Sequence, residues 1–140
     1  MNNIKSKVMT AANRLVKGGL TRSVAMVRAW ALVKAEGLRL RVTGTLRRQN
    51  ALEKLVKFRS EDVTVQLRRE PYNSYDRNAV AVYASTPDKR SYFIGYLAKA
   101  VAFVLAPLMD KGKMPQIRCM AVTGGFNDYV YYGARLAIRV

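Results

Sequence analysis

The chain contains no histidine and only one cysteine, Cys119, among its 140 residues. Without an imidazole, Ser-His-Asp and Cys-His catalysis is excluded, and the commonest transition-metal ligand is missing. A single cysteine excludes an internal disulfide framework and any thiolate-rich zinc site. Acids are scarce as well: 9 Asp+Glu stand against 25 Lys+Arg. Those acids are scattered, so a two-metal carboxylate centre is hard to assemble. A two-carboxylate or lysine-based enzyme stays open on composition alone, but the simpler expectation is a protein without catalytic role or cofactor. No apolar core of signal-peptide type follows the polar, basic start from Met1 to Lys7. The longest apolar stretch, Ala98 to Met109, carries Lys99 and Pro107 and is too short to span a bilayer. A cytoplasmic protein with no membrane partner is therefore expected.

What is present is apolar residues and positive charge. Half of the residues are apolar and 24% are charged, which fits a packed core and not a disordered polycation. The formal net charge is +16, and +12 of it lies in residues 1–60. Such an excess points to a polyanionic partner. At this length one main domain is expected, with room for a small appendage.

Periodicity divides the chain at about residue 37. Ile4, Val8, Ala11, Ala12, Leu15 and Val16 recur at helical spacing and Gly18-Gly19 supplies a stop. Thr21 or Ser23 can cap a second helix, which Gly37 ends. Its apolar residues, among them Val24, Val27 and Trp30, cover most of its circumference, so cover is needed on more than one side. Residues 1–37 thus read as a basic helical leader, with Trp30 sealing it onto the domain formed by residues 38–140. From Leu38 the period changes to two, with Leu38, Leu40 and Val42 inward and Arg39 and Arg41 outward. Asn50 to Glu53 has capping-box spacing for a short helix burying Leu52, Leu55 and Val56. Further strands are expected at 63–67, 79–84, 92–97, 116–122 and 128–140, with a helix at 98–109 that Pro107 kinks or ends. Cys119 is expected in the core. The fold class is α+β: residues 38–140 form a small antiparallel β-barrel of five to six strands with two interposed helices, preceded by an αα-hairpin.

The most distinctive segment runs Arg69-Glu70-Pro71-Tyr72-Asn73-Ser74-Tyr75-Asp76-Arg77-Asn78-Ala79-Val80-Ala81-Val82. Pro71 stops a strand, and Asn73, Asp76 and Asn78 are residues that organise turns through local hydrogen bonds. Ile94-Gly95-Tyr96-Leu97 and Leu105-Ala106-Pro107-Leu108-Met109-Asp110-Lys111-Gly112 come after it. Together these resemble the HIRAN domain, a small β-barrel module attached to some DNA translocases and found alone in bacteria and phages. The resemblance spans residues 38–140, and its specific motifs lie in 67–112. It implies binding of single-stranded DNA, in some members at a 3′-hydroxyl end. On that basis Tyr75 is a stacking platform, Asp76 the acceptor for a terminal hydroxyl, Lys99 a phosphate contact and Tyr96 a polar aromatic of the same pocket.

One departure stands out. Where DNA-end-binding members carry an aromatic on the first strand, this chain reads Leu40-Arg41-Val42-Thr43-Gly44. Arg41 can stack or pair with phosphate, and Tyr129 and Tyr131 are the candidates for a second aromatic face. Arg39, Arg41, Arg47 and Arg48 form the expected electrostatic surface, because so few acids accompany them. The bland alternative is that Tyr75 packs on the barrel while Asp76 only caps backbone amides. Two other functions stay open: an RNA binder, and a protein-interaction module of mobile-element origin that engages an acidic partner.

Overall fold

The computed structural model describes residues 3–34, 37–126 and 129–140, with backbone only for Asn3, Phe126, Tyr129 and Val130. Two helices open the chain, α1 (Asn3–Lys17) and α2 (Arg22–Val33). In α1 the buried residues are Val8, Ala11, Ala12 and Leu15, a stripe at helical spacing, while Ile4 stays exposed. Thr21 takes the N-cap position of α2, although its side chain makes no capping bond. The face of α2 turned inward is Ala25, Ala29, Leu32 and Val33. Small alanines four apart let the helices approach closely, and the bulkier Val24, Val27 and Trp30 are left outside. Helix α2 packs against α1 and also against strands of the domain that follows, and Trp30, 37% exposed, is partly covered.

Six strands complete the framework: β1 (Leu38–Arg41), β2 (Thr64–Arg69), β3 (Val80–Ser85), β4 (Ser91–Tyr96), β5 (Gln116–Phe126) and β6 (Tyr129–Arg139). They form two three-stranded antiparallel sheets, ordered β1-β6-β5 and β2-β3-β4. An isolated antiparallel bridge from Thr43 to Tyr96 links them. It consists of reciprocal backbone bonds of 2.8 and 2.9 Å. The architecture is α+β with two sheets joined at that bridge. One core cluster extends from Val8 and Leu15 through Leu52, Val82 and Ile94 to Leu136 and Ile138.

Local bonding corrects two expectations. No capping box forms at Asn50, because helix α3 (Gln49–Leu55) grows directly out of a 3₁₀ turn at Thr45–Arg48. Gln49 fixes that start: its amide nitrogen donates to the Tyr132 carbonyl at 2.9 Å, and its amide oxygen accepts from the Tyr132 N–H at 2.8 Å. Leu52 and Leu55 are buried, but Val56 lies past the helix end and is exposed. Cys119 is exposed instead of buried. The register of β5 against β6 slips between Ile117 and Cys119, so one extra residue is inserted and the inward phase moves to Met120. A β-bulge of this kind defeats simple alternation.

The last helix, α4 (Lys99–Asp110), continues one turn past Pro107. Proline cannot donate to the carbonyl four residues earlier, which belongs to Phe103. Arg14 of α1 supplies the missing donor: its Nη2 bonds the Phe103 carbonyl at 3.0 Å while its guanidinium lies 3.9 Å from the Phe103 ring centroid. The helical leader is thereby tied to α4 at the point where the helix is chemically incomplete. Among the described residues, no helix is long and apolar enough to cross a membrane.

Candidate nucleic-acid interface

The loop between β2 and β3 is closed at its base by the Glu70 N–H bonding the Ala79 carbonyl at 3.0 Å. Inside it, Asn73 organises the backbone. Its side-chain oxygen accepts from the N–H groups of Tyr75 (2.9 Å) and Asp76 (3.1 Å), and its amide nitrogen donates to Glu70 Oε1 at 3.0 Å. Asp76 Oδ1 in turn accepts from the Asn78 N–H at 2.9 Å. Asp76 therefore does cap the turn, as the bland reading holds. Tyr75 does not pack: it is 95% exposed, held outward by an ordered backbone.

Glu70 also ties the loop to the sheet, since the Tyr96 hydroxyl donates to its Oε1 at 2.9 Å. Burial, and then that hydrogen bond to a carboxylate, raise the Tyr96 hydroxyl above its ordinary pKa. Tyr96 stands edge-on to Phe93 with ring centroids 5.2 Å apart. In a regular strand residues three apart point to opposite faces. Here the β3–β4 register slips between Val82 and Tyr83, where Gly95 and Phe93 are successive partners, so Ile94 is the extra residue. Gly95 makes the slip possible: its φ is +148°, and a Cβ there would meet the Thr43 carbonyl oxygen at 2.1 Å. The glycine of the Ile94–Leu97 motif thus allows the two sheets to touch and puts two rings on one face.

These features surround a cleft of about 770 Å³ lined by Tyr75, Asp76, Tyr96, Lys99, Arg47 and Arg48, with Asn73, Phe93, Thr43 and Gly44 completing its walls. Arg48 lies 4.4 Å from the Phe93 ring centroid, so its guanidinium is part of the aromatic wall. Six of the residues expected at the site come together here. The others do not. Arg41 and Tyr131 line a separate groove of about 460 Å³ on the β1-β6-β5 sheet, beside Arg135, which is paired opposite Arg41. Thr43 and Gly44 face the first cleft and Arg41 and Thr45 the second. Arg39 is exposed on the outer face of β1 and lines neither. The Tyr129 side chain lies outside the described residues.

Sequence reasoning missed Glu70 and Phe93, and it placed Asn73 as a turn organiser without its bond to Glu70. A glutamate three residues before an asparagine across Pro71 was the available signal for the first. Phe93 had none apart from the glycine that bends its strand.

The model of the HIRAN domain matches residues 37–125. The chain belongs to the HIRAN domain family, whose members are DNA-binding modules. Among solved structures it is similar to the HIRAN domain of human HLTF, with 27% identity over 72% of this chain and 73% of that one and a TM-score of 0.41. It is likewise similar to a protein from Lactobacillus plantarum, with 25% identity over 73% of this chain and 92% of that one and a TM-score of 0.44. No curated protein matches. The family match begins after α2, so the helical leader lies outside it.

Proposed function

We propose that this HIRAN chain is a non-catalytic module that seats the end of a single DNA strand in the Tyr75 cleft. The observation that carries this reading is a tyrosine ring held 95% exposed at the mouth of a cationic cleft by a loop in which its own N–H and that of Asp76 are bonded to the Asn73 side chain. An apolar ring in that position has no packing role, whereas a flat exposed ring suits base stacking. Arg47 and Lys99 meet phosphates, and the Arg48–Phe93 pair forms a second flat surface. Asp76 has Oδ1 committed to Asn78 and Oδ2 with no partner among the described residues. That free oxygen accepts a terminal 3′-hydroxyl, and its charge repels a continuing or terminal phosphate. Arg39 and Arg41 add attraction from outside the cleft. Histidine is absent and the acids are few, so no proton shuttle accompanies the binding site.

Fluorescence anisotropy with a short labelled DNA strand tests this directly. Tyr75→Ala should weaken binding by about 5- to 150-fold, the equivalent of ~1–3 kcal/mol for one stacked base. Thermal stability should hardly change, because the ring buries almost nothing. Unaltered affinity would remove the cleft from the account, and equal competition by the matched RNA strand would shift the reading to RNA.

A further inference from the structure

A second concave surface lies between α1 and the C-terminal half of α4, away from the Tyr75 cleft and with no lining residue in common with it. Its volume is about 590 Å³, within the size of ordinary ligand pockets. The floor is aliphatic: Val104, Pro107, Leu108, Met114 and Pro115 contribute to it. Lys7, Lys111 and Lys113 stand at its rim, exposed, and none of them has an ion-pair partner among the described residues. No acid lines it. The nearest carboxylate on α4, Asp110, is paired with Arg69 at 2.9 Å.

The chemistry of this groove differs from that of the cleft. A nucleic-acid strand needs flat rings or guanidinium planes for its bases. Among the described residues no aromatic side chain lines the groove, and the guanidinium there, that of Arg14, is already stacked on Phe103. Amphipathic surfaces that enter membranes project outward, whereas this one is recessed. An aliphatic floor with a cationic rim matches a peptide whose apolar side chains alternate with carboxylates. Met114, 58% exposed and conformationally adaptable, suits such a contact. One wall is α1, which lies outside the matched HIRAN region, so the groove is a feature of the leader's docking.

We propose that the α1–α4 groove binds an acidic amphipathic peptide segment of a partner protein, independently of the DNA cleft. The leader then serves to build a protein-docking site on a nucleic-acid module. Two exposed groups report on it without threatening the fold, Met114 on the floor and the lysines on the rim.

The test uses the full chain and a labelled twelve-residue peptide with leucines at helical spacing among aspartates and glutamates. Its control has serine for every leucine and the same charge. The leucine peptide should bind at least about tenfold more tightly than the control. Met114→Asp, and separately the double reversal Lys111→Glu with Lys113→Glu, should each weaken it by about tenfold or more. Circular dichroism melts identify any variant that is unfolded, and the other variant then carries the test. Met114→Asp should leave affinity for a short DNA strand unchanged. Absence of peptide binding, equal binding of the serine control, insensitivity to both variants, or displacement of the peptide by the DNA strand would each overturn the proposal. None of these outcomes bears on Tyr75→Ala, so the two readings fail separately.

Discussion

Asn73 decides the shape of the site although it need not touch a ligand. Three of its hydrogen-bonding positions are used: two accept the amides of Tyr75 and Asp76, and one donates to Glu70. Glu70 receives Tyr96 from the sheet on the same oxygen, so a single carboxylate couples loop and strand. Removing the Asn73 side chain leaves the platform residues present but unaimed, and reordering them on binding then costs affinity. Asn73→Ala should therefore weaken single-strand DNA binding by about tenfold, with a loss of ~1 kcal/mol of stability for each neutral hydrogen bond deleted. Anisotropy titration paired with urea denaturation measures both. A variant that binds as tightly as the native chain would show that the loop is aimed by other contacts.

The elements show where periodicity suffices and where it fails. Leu38 and Leu40 inward with Arg39 and Arg41 outward is the pattern the sequence predicts for β1, and β1 has it. Helices α1, α2 and α4 lie close to where their apolar spacing and glycine stops place them. The misplacements arise where a register slip or a long-range side-chain bond resets the phase. At Cys119 it is a bulge in β5, at Asn50 the pairing of Gln49 with Tyr132, and at Phe93 the bulge next to Gly95. The turn around Tyr75 and Asp76 was visible because turn-forming side chains act over two or three positions, and the site roles of the two residues came from the family resemblance of the segment. Glu70, which bonds Asn73 and Tyr96, and Phe93, which stands against Tyr96, were not, since one acts across a proline and the other through a register slip. Pro107 is the instructive helix case: α4 runs through it because Arg14 bonds the orphaned Phe103 carbonyl. Arg14→Met keeps the stem and removes the donor, and it should cost ~1 kcal/mol, since the Phe103 carbonyl left without a donor is part-buried. Chemical denaturation checks this, and a stability equal to that of the native chain would mean the carbonyl finds another donor.

Over the whole molecule the charge separates into working and structural parts. Arg14, Arg69 and Arg68 are engaged with Phe103, Asp110 and Tyr83 respectively. Arg47, Arg48 and Lys99 surround the cleft, and Arg41 stands opposite Arg135 on the neighbouring sheet, a like-charged pair that a polyanion would relieve. If about four cations meet phosphates, the log-log dependence of affinity on salt should have a slope near −3, at ~0.7 per phosphate for single strands. A slope near zero would rule out this electrostatic share. General attraction of that kind would hold any strand, so the specific claim rests on Asp76 and the character of the strand end. The most direct measurement compares two labelled DNA strands that differ only in a 3′-hydroxyl or a 3′-phosphate, each titrated with the native chain and with Asp76→Ala. The native chain should favour the hydroxyl end by about tenfold or more, and the variant should bind both ends alike. Equal binding of the two ends by the native chain, or a preference that survives in Asp76→Ala, would contradict the account.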